Sequence, residues 1–223
     1  MGQARKDPSC AFIDLTHTIT QDMPVYPGSD TPQLTPAGTY EKDGFKETLL
    51  QMSSHAGTHM DSPSHLFPNR TTLDEFPASQ FIGKALVIDC CDLPEGGAIA
   101  MEQLRPYGDK VAQANFLLFN LGWDEYWGAD AYFGDYPCVD EEVLDFIIAG
   151  GYKGIGFDVI GLDPIADENL TRHKKLFSSC DIVNIENLKN LDCCGDDLFW
   201  FSCCPLKIED SDGSPIRAIA WFE

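Results

Sequence analysis

Between His55 and His65 the chain reads H-A-G-T-H-M-D-S-P-S-H, which places three of its five histidines and an aspartate within one short stretch. A core segment would be penalised for every polar ring left unpaired, and a surface segment has no packing reason to gather them. Imidazole nitrogens and carboxylate oxygens are the usual donors to zinc and related divalent ions. The stretch therefore reads as a metal cluster, and the fold has to serve it. The His55/His59 spacing would align both rings on one helix face, but Gly57 and Pro63 interrupt the stretch and favour irregular backbone. Residues 48–53 (T-L-L-Q-M-S) read as a strand running straight into the cluster, so the ligands are expected to converge at a strand end.

The remaining patterns describe an α/β chain. Residues 84–90 (K-A-L-V-I-D-C) and 115–120 (N-F-L-L-F-N) read as buried strands. Residues 139–149 form the clearest helix, with an apolar stripe of Val143, Phe146 and Ile147 and a stop at Gly150-Gly151. Further strands are expected at 10–19, 152–160, 181–185, 199–207 and 216–222, the last two joined through a turn at Asp210–Gly213. A short helix is expected at 100–104 and another at 169–178, carrying His173; Glu186-Asn187 follow the strand at 181–185. Met23–Gly28, with two prolines and a glycine, is a stiff loop that exposes Tyr26. No linker or repeat divides the chain, so residues 1–223 are expected to form one domain.

Charge narrows the partners. Asp+Glu number 36 against Lys+Arg 15, a net charge of −21, which argues against nucleic acid or an anionic membrane surface as the main partner. No stretch approaches the ~20 apolar residues of a membrane helix, and Met1–Ser9 is polar with no apolar run behind it, unlike a signal peptide. Nine cysteines include the adjacent pairs Cys90-Cys91, Cys193-Cys194 and Cys203-Cys204, none with C-x-x-C spacing. Several sit in apolar runs, where a free cysteine behaves as a small hydrophobe, and reduced thiols in a cytoplasm are the simplest account.

The 55–65 motif resembles the pattern H-x-G-T/A-H-x-D-x-P-x-H of the cyclase family of metal-dependent hydrolases, which includes bacterial kynurenine formamidases and isatin hydrolases. Residues 12–17 (F-I-D-L-T-H), 25–28 (V-Y-P-G), Gly122-Trp123 with Trp127-Gly128, 154–164 and 205–218 resemble further elements of that family. The resemblance implies a swivelling β/β/α-type fold, a mixed and barrel-like sheet flanked by helices, assembled as a homodimer or homotetramer. It implies that His55, His59 and Asp61 hold a first divalent metal, zinc or else manganese. In members with two ions, Asp61 would bridge to a second held by His173 and Glu186, with His65 as the catalytic acid/base. Gly161 departs from the family's frequent serine, and Asn120-Leu121 from its arginine or threonine, which bears more on the substrate than on the metal.

Two histidines and a carboxylate leave coordination positions open, as a catalytic metal requires, and a metal-activated water can attack an amide carbonyl. His65, with an unperturbed pKa near ~6.5, can take the proton and return it to the leaving nitrogen. The expected substrate is a small amide, either an aryl formamide such as N-formylkynurenine or a cyclic amide. An unrelated small cyclic substrate, or a non-catalytic metal- or ligand-binding role, are the alternatives; the latter would not need His65. Tyr26, Trp123 and Trp127 are candidates for an aromatic pocket, with simple core packing the other account. His17 reads as structural, and Asp158 and Asp163 as fixing turns.

Overall fold

A computed structural model describes residues 11–222; the expected strand start at Cys10 and the reading of Met1–Ser9 lie outside the described residues. The first half runs β1 (Phe12–Asp14), β2 (Gln33–Gly38), α1 (Tyr40–Asp43), β3 (Glu47–Gln51), β4 (His59–Asp61), β5 (Ile82–Asp89) and β6 (Ala98–Ile99). Next come α2 (Met101–Leu104), α3 (Asp109–Gln113), β7 (Phe116–Asn120), β8 (Cys138–Val139), α4 (Glu141–Gly150) and β9 (Gly154–Phe157). The chain ends with α5 (Thr171–Ser179), β10 (Val183–Glu186), β11 (Phe199–Ser202), β12 (Gly213–Pro215) and β13 (Ile219–Trp221).

Nine strands form one sheet in the order β1-β13-β11-β5-β7-β9-β10-β4-β12. The central four, β5, β7, β9 and β10, run parallel, and the outer strands pair antiparallel. The central strands are apolar on both faces because both faces are covered. Leu86, Ile88, Leu117, Phe119, Ile155 and Phe157 pack under α4 and α5 through Val143, Ile147, Leu176 and Phe177. Their alternate neighbours Ala85, Val87, Phe116, Leu118, Val183 and Ile185 form a second cluster. Met60 of β4 and Ala220 of β13 come from opposite sides of the sheet into that same cluster, so the sheet curls around it. The mixed α/β sheet with helices on one face matches the sequence expectation.

The predicted helix at 139–149 forms as α4 because both ends are chemically marked. Asp140 accepts the Val143 N–H at 2.8 Å, Glu141 and Glu142 occupy the first turn, and Gly151 closes the helix at φ 69°. One expectation changes: β3 does not lead the sheet into the cluster. It pairs with β2 in a separate two-stranded arm whose β3 residues are all exposed. The regular structure lies inside the motif instead, where His59–Asp61 forms β4 between two partner strands. No helix among the described residues is long and apolar enough to cross a membrane.

Candidate metal centre

The site is made by strand register. β4 pairs with β10 so that His59 faces Glu186, Met60 faces Ile185 and Asp61 faces Asn184. Side chains alternate along a strand, so His59, Asp61, Asn184 and Glu186 share one face while Met60 and Ile185 enter the second core cluster. On the other side β12 sets Gly213 opposite Asp61. His55, from the loop before β4, lies against that glycine: a Cβ at Gly213 would stand 2.5 Å from His55 Cε1. His173 enters from the first turn of α5.

These residues form two three-donor groups, His55/His59/Asp61 and Asp61/His173/Glu186, with the donor atoms of each within 4.8 Å of one another. His59 Nε2 lies 3.3 Å from Asp61 Oδ1 and 3.5 Å from Glu186 Oε2. His173 Nε2 lies 3.5 Å from Asp61 Oδ2 and 3.2 Å from Glu186 Oε1. Ligands about 2.1 Å from a tetrahedral ion sit about 3.4 Å apart, so this spacing fits a shared divalent ion. Asn184 donates its amide to Asp61 Oδ2 and Glu186 Oε1, and its buried Oδ1 has no partner among the described residues.

Each inward-facing ring is held from behind. His59 Nδ1–H donates to Gly57 O at 2.9 Å, and Asn187 Nδ2 donates to the same carbonyl at 2.7 Å. Tyr132 Oη–H in turn donates to Asn187 Oδ1 at 2.7 Å. His173 Nδ1–H donates to Asp163 Oδ2 at 2.7 Å. Such contacts fix the tautomer so that Nε2 is free to ligate.

The electrostatics agree. Burial pulls the His55 imidazolium down, but Asp61 and Asp212 outweigh it and raise its pKa to about 10. His173 is raised well above its ordinary value by Asp163, Asp61 and Glu186, against the effect of burial. Burial would raise Asp61, yet His55 and the hydrogen bonds from His173, His55 and His59 hold it well below the usual carboxylate range. Buried carboxylates thus draw positive charge to this spot, and a divalent ion binds by displacing such protons. His65 is lowered, first by burial, and so is neutral at neutral pH.

The Cyclase family model matches residues 13–164. The chain belongs to the cyclase family. It is 29% identical over 215 residues to kynurenine formamidase of Bacillus thuringiensis (strain Al Hakam), spanning 93% of this chain and 96% of that one. An uncharacterized protein of Methanocaldococcus jannaschii is 34% identical over 213 residues, 94% of this chain and 98% of its own. Among solved structures, isatin hydrolase A from Labrenzia aggregata bound to benzyl benzoate superposes with a TM-score of 0.82 at 26% identity, covering 94% and 92% of the two chains.

In this cyclase-family chain a cavity of about 550 Å³ opens onto the donors and is lined by His55, His59, Asp61, His65, His173 and Glu186. Tyr26 and Gly161 also line it, whereas Trp123 and Trp127 do not. Trp123 is buried core, its indole N–H donating to Tyr132 O at 3.0 Å. Trp127 stacks on His17 with centroids 3.9 Å apart, and the backbone N–H of buried His17 donates to Thr58 Oγ1, so His17 is structural as expected. Asp158 fixes the turn that follows β7, accepting the N–H groups of Leu121 and Trp123. Asp163 does more than fix a turn, since it also orients His173. Of the two departures from the family pattern, Gly161 reaches the cavity, while Asn120 turns its Oδ1 to the Gly122 N–H.

Asp212 was legible only as a turn former. It accepts from His55 Nε2 at 2.8 Å and faces His65 Nδ1 at 3.4 Å. No local signal distinguishes it from Asp210; the pairing of β12 with β4 alone brings it to the histidines.

Proposed function

We propose that the chain is a metal-dependent hydrolase of a small amide, either an aryl formamide of the N-formylkynurenine kind or a cyclic amide of the isatin kind. The observation that carries this reading is the pair of donor groups sharing Asp61, with His65 lining the same cavity. His55, His59 and Asp61 would hold one divalent ion, and Asp61, His173 and Glu186 a second, zinc or manganese. When bound, such an ion acidifies water and polarises a carbonyl oxygen.

The chain's own residues supply the rest. His65, neutral through burial and facing Asp212 with Nδ1, takes a proton at Nε2 and delivers it to the leaving nitrogen. Tyr26 offers an aromatic face and a hydroxyl in a cavity of about 550 Å³, a volume within the usual range for small-molecule sites. The names of the relatives, kynurenine formamidase and isatin hydrolase, support the two substrate classes. The arm of β2 and β3, with Tyr40, Phe45, Leu49 and Leu50 exposed, supports assembly into a homodimer or homotetramer.

The test joins elemental analysis of the purified protein to a hydrolysis panel of N-formylkynurenine, isatin and simple lactams. Turnover that is lost with the metal in His59→Ala, and lost with the metal retained in His65→Ala, is the expected result. Full metal loading with no turnover on any of these substrates would replace the hydrolase reading with a metal- or ligand-binding one.

A further inference from the structure

Asp212 stands outside both donor groups at Asp61 yet meets two of the four histidines that line the cavity. His55 presents Nδ1 to Asp61 Oδ1 at 2.7 Å and Nε2 to Asp212 Oδ2 at 2.8 Å. The same Oδ2 lies 3.4 Å from His65 Nδ1, and the two rings lie against each other with centroids 4.0 Å apart. Ser54 Oγ–H donates to Asp212 Oδ1 at 3.1 Å, which fixes the rotation of the carboxylate. The Asp212 backbone is anchored too, because its carbonyl accepts the Ser62 N–H at 2.8 Å, directly after β4.

A ring that gives one nitrogen to a metal keeps its proton on the other, and that proton needs an acceptor. His55 lies between two carboxylates, of which Asp61 belongs to the donor groups around His59 and His173. Its Nε2 proton therefore goes to Asp212, and Nδ1 is left to ligate. His65 meets a carboxylate at Nδ1, and a proton held there leaves the Nε2 lone pair for proton transfer. Resting on the metal-centre reading above, we infer that Asp212 is a positioning residue that sets the tautomers of His55 and His65 through a single oxygen. It ties the posture of a metal ligand to that of the proton carrier.

Two measurements test this without any substrate. In the zinc-loaded wild type, ring ¹⁵N shifts are expected to show His55 bound through Nδ1 with its proton on Nε2, and His65 with its proton on Nδ1. In chelator competition, Asp212→Ala weakens zinc binding about 10- to 100-fold, the usual effect of losing a ligand's outer hydrogen-bond partner. Asp212→Asn keeps an oxygen that can accept both N–H groups, so zinc affinity returns to within about threefold of wild type. On a substrate that is turned over, Asp212→Ala saturated with zinc loses kcat about tenfold or more with KM little changed, which a turn-forming role alone would not produce.

A His55 bound through Nε2, a His65 proton on Nε2, or zinc affinity of Asp212→Ala within about twofold of wild type overturns the inference. If the alanine variant does not fold, the wild-type spectrum decides. Lack of turnover on amides would count against the hydrolase reading only, because zinc affinity and ring tautomers are read with no substrate present.

Discussion

His173 donates its Nδ1–H to Asp163 Oδ2 at 2.7 Å, and that oxygen also accepts the backbone N–H of His173 at 3.0 Å. Asp163 Oδ1 accepts the N–H of Arg172 at 2.6 Å. One carboxylate thus takes two of the open N–H groups at the start of α5, Asp167 Oδ2 accepting that of Thr171 at 3.2 Å, and sets the ring of a proposed ligand, so the helix begins where the ring is needed.

Replacing Asp163 by alanine should therefore harm binding more than folding. Loss of the cap costs about 1 kcal/mol, while affinity at the Asp61/His173/Glu186 group falls about 10- to 100-fold. A calorimetric zinc titration together with urea unfolding of the metal-free protein separates the two effects. Unchanged affinity would show that His173 does not depend on Asp163.

Gly213→Ala is a small change in a crowded place. Its Cβ would stand 2.5 Å from His55 Cε1 and 2.7 Å from Nε2, so the ring must move from its place between Asp61 and Asp212. The expected result is loss of zinc affinity comparable to removing an outer hydrogen-bond partner, about tenfold or more. Metal-free stability should fall by about 1–3 kcal/mol, the usual cost of overpacking. Metal binding at wild-type strength would refute the packing argument.

Asn187 is buried in the left-handed region at φ 58° and links Gly57 O to Tyr132 Oη. Asn187→Ala leaves the Tyr132 hydroxyl short of a partner, about 1–3 kcal/mol, and adds about 1 kcal/mol of left-handed strain. Asn187→Gly removes the same hydrogen bonds without the strain and should be the milder variant. Urea unfolding of both, with zinc affinity as a readout for His59, checks the order.

His17 gives a pH dependence with a definite sign. Burial, and then Lys189, lower its pKa from 6.5 to about 4. Above pH 6.5 the ring is neutral in folded and unfolded chains alike, and the stability is fully present. As pH falls from 6.5 towards 4, the unfolded chain binds a proton that the folded chain resists, so stability is lost over that window. The full effect is about 3 kcal/mol. Urea unfolding of metal-free wild type and His17→Phe between pH 7 and pH 4 should show a smaller pH dependence in the variant, which keeps a ring against Trp127.

The central strands and α4 were readable locally, because β-branched and apolar runs, an N-capping aspartate and a terminal glycine act over a few residues. The donor residues were named from the 55–65 motif and its family resemblance. The aromatics were harder to place: Tyr26 reaches the cavity, but Trp123 and Trp127 are packed on Tyr132 and His17. Large apolar rings carry no local mark that separates a pocket wall from core.

By itself, then, the chain's sequence determined which residues can give electrons to a metal and which segments extend or coil. Those are properties of side-chain chemistry and short-range periodicity. Only the tertiary structure decided that Glu186 faces His59, that Asp163 orients His173 and that Asp212 reaches His55 and His65. Each of those depends on strand register or on loop placement between distant segments, where a shift of one residue would turn the side chain to the opposite face.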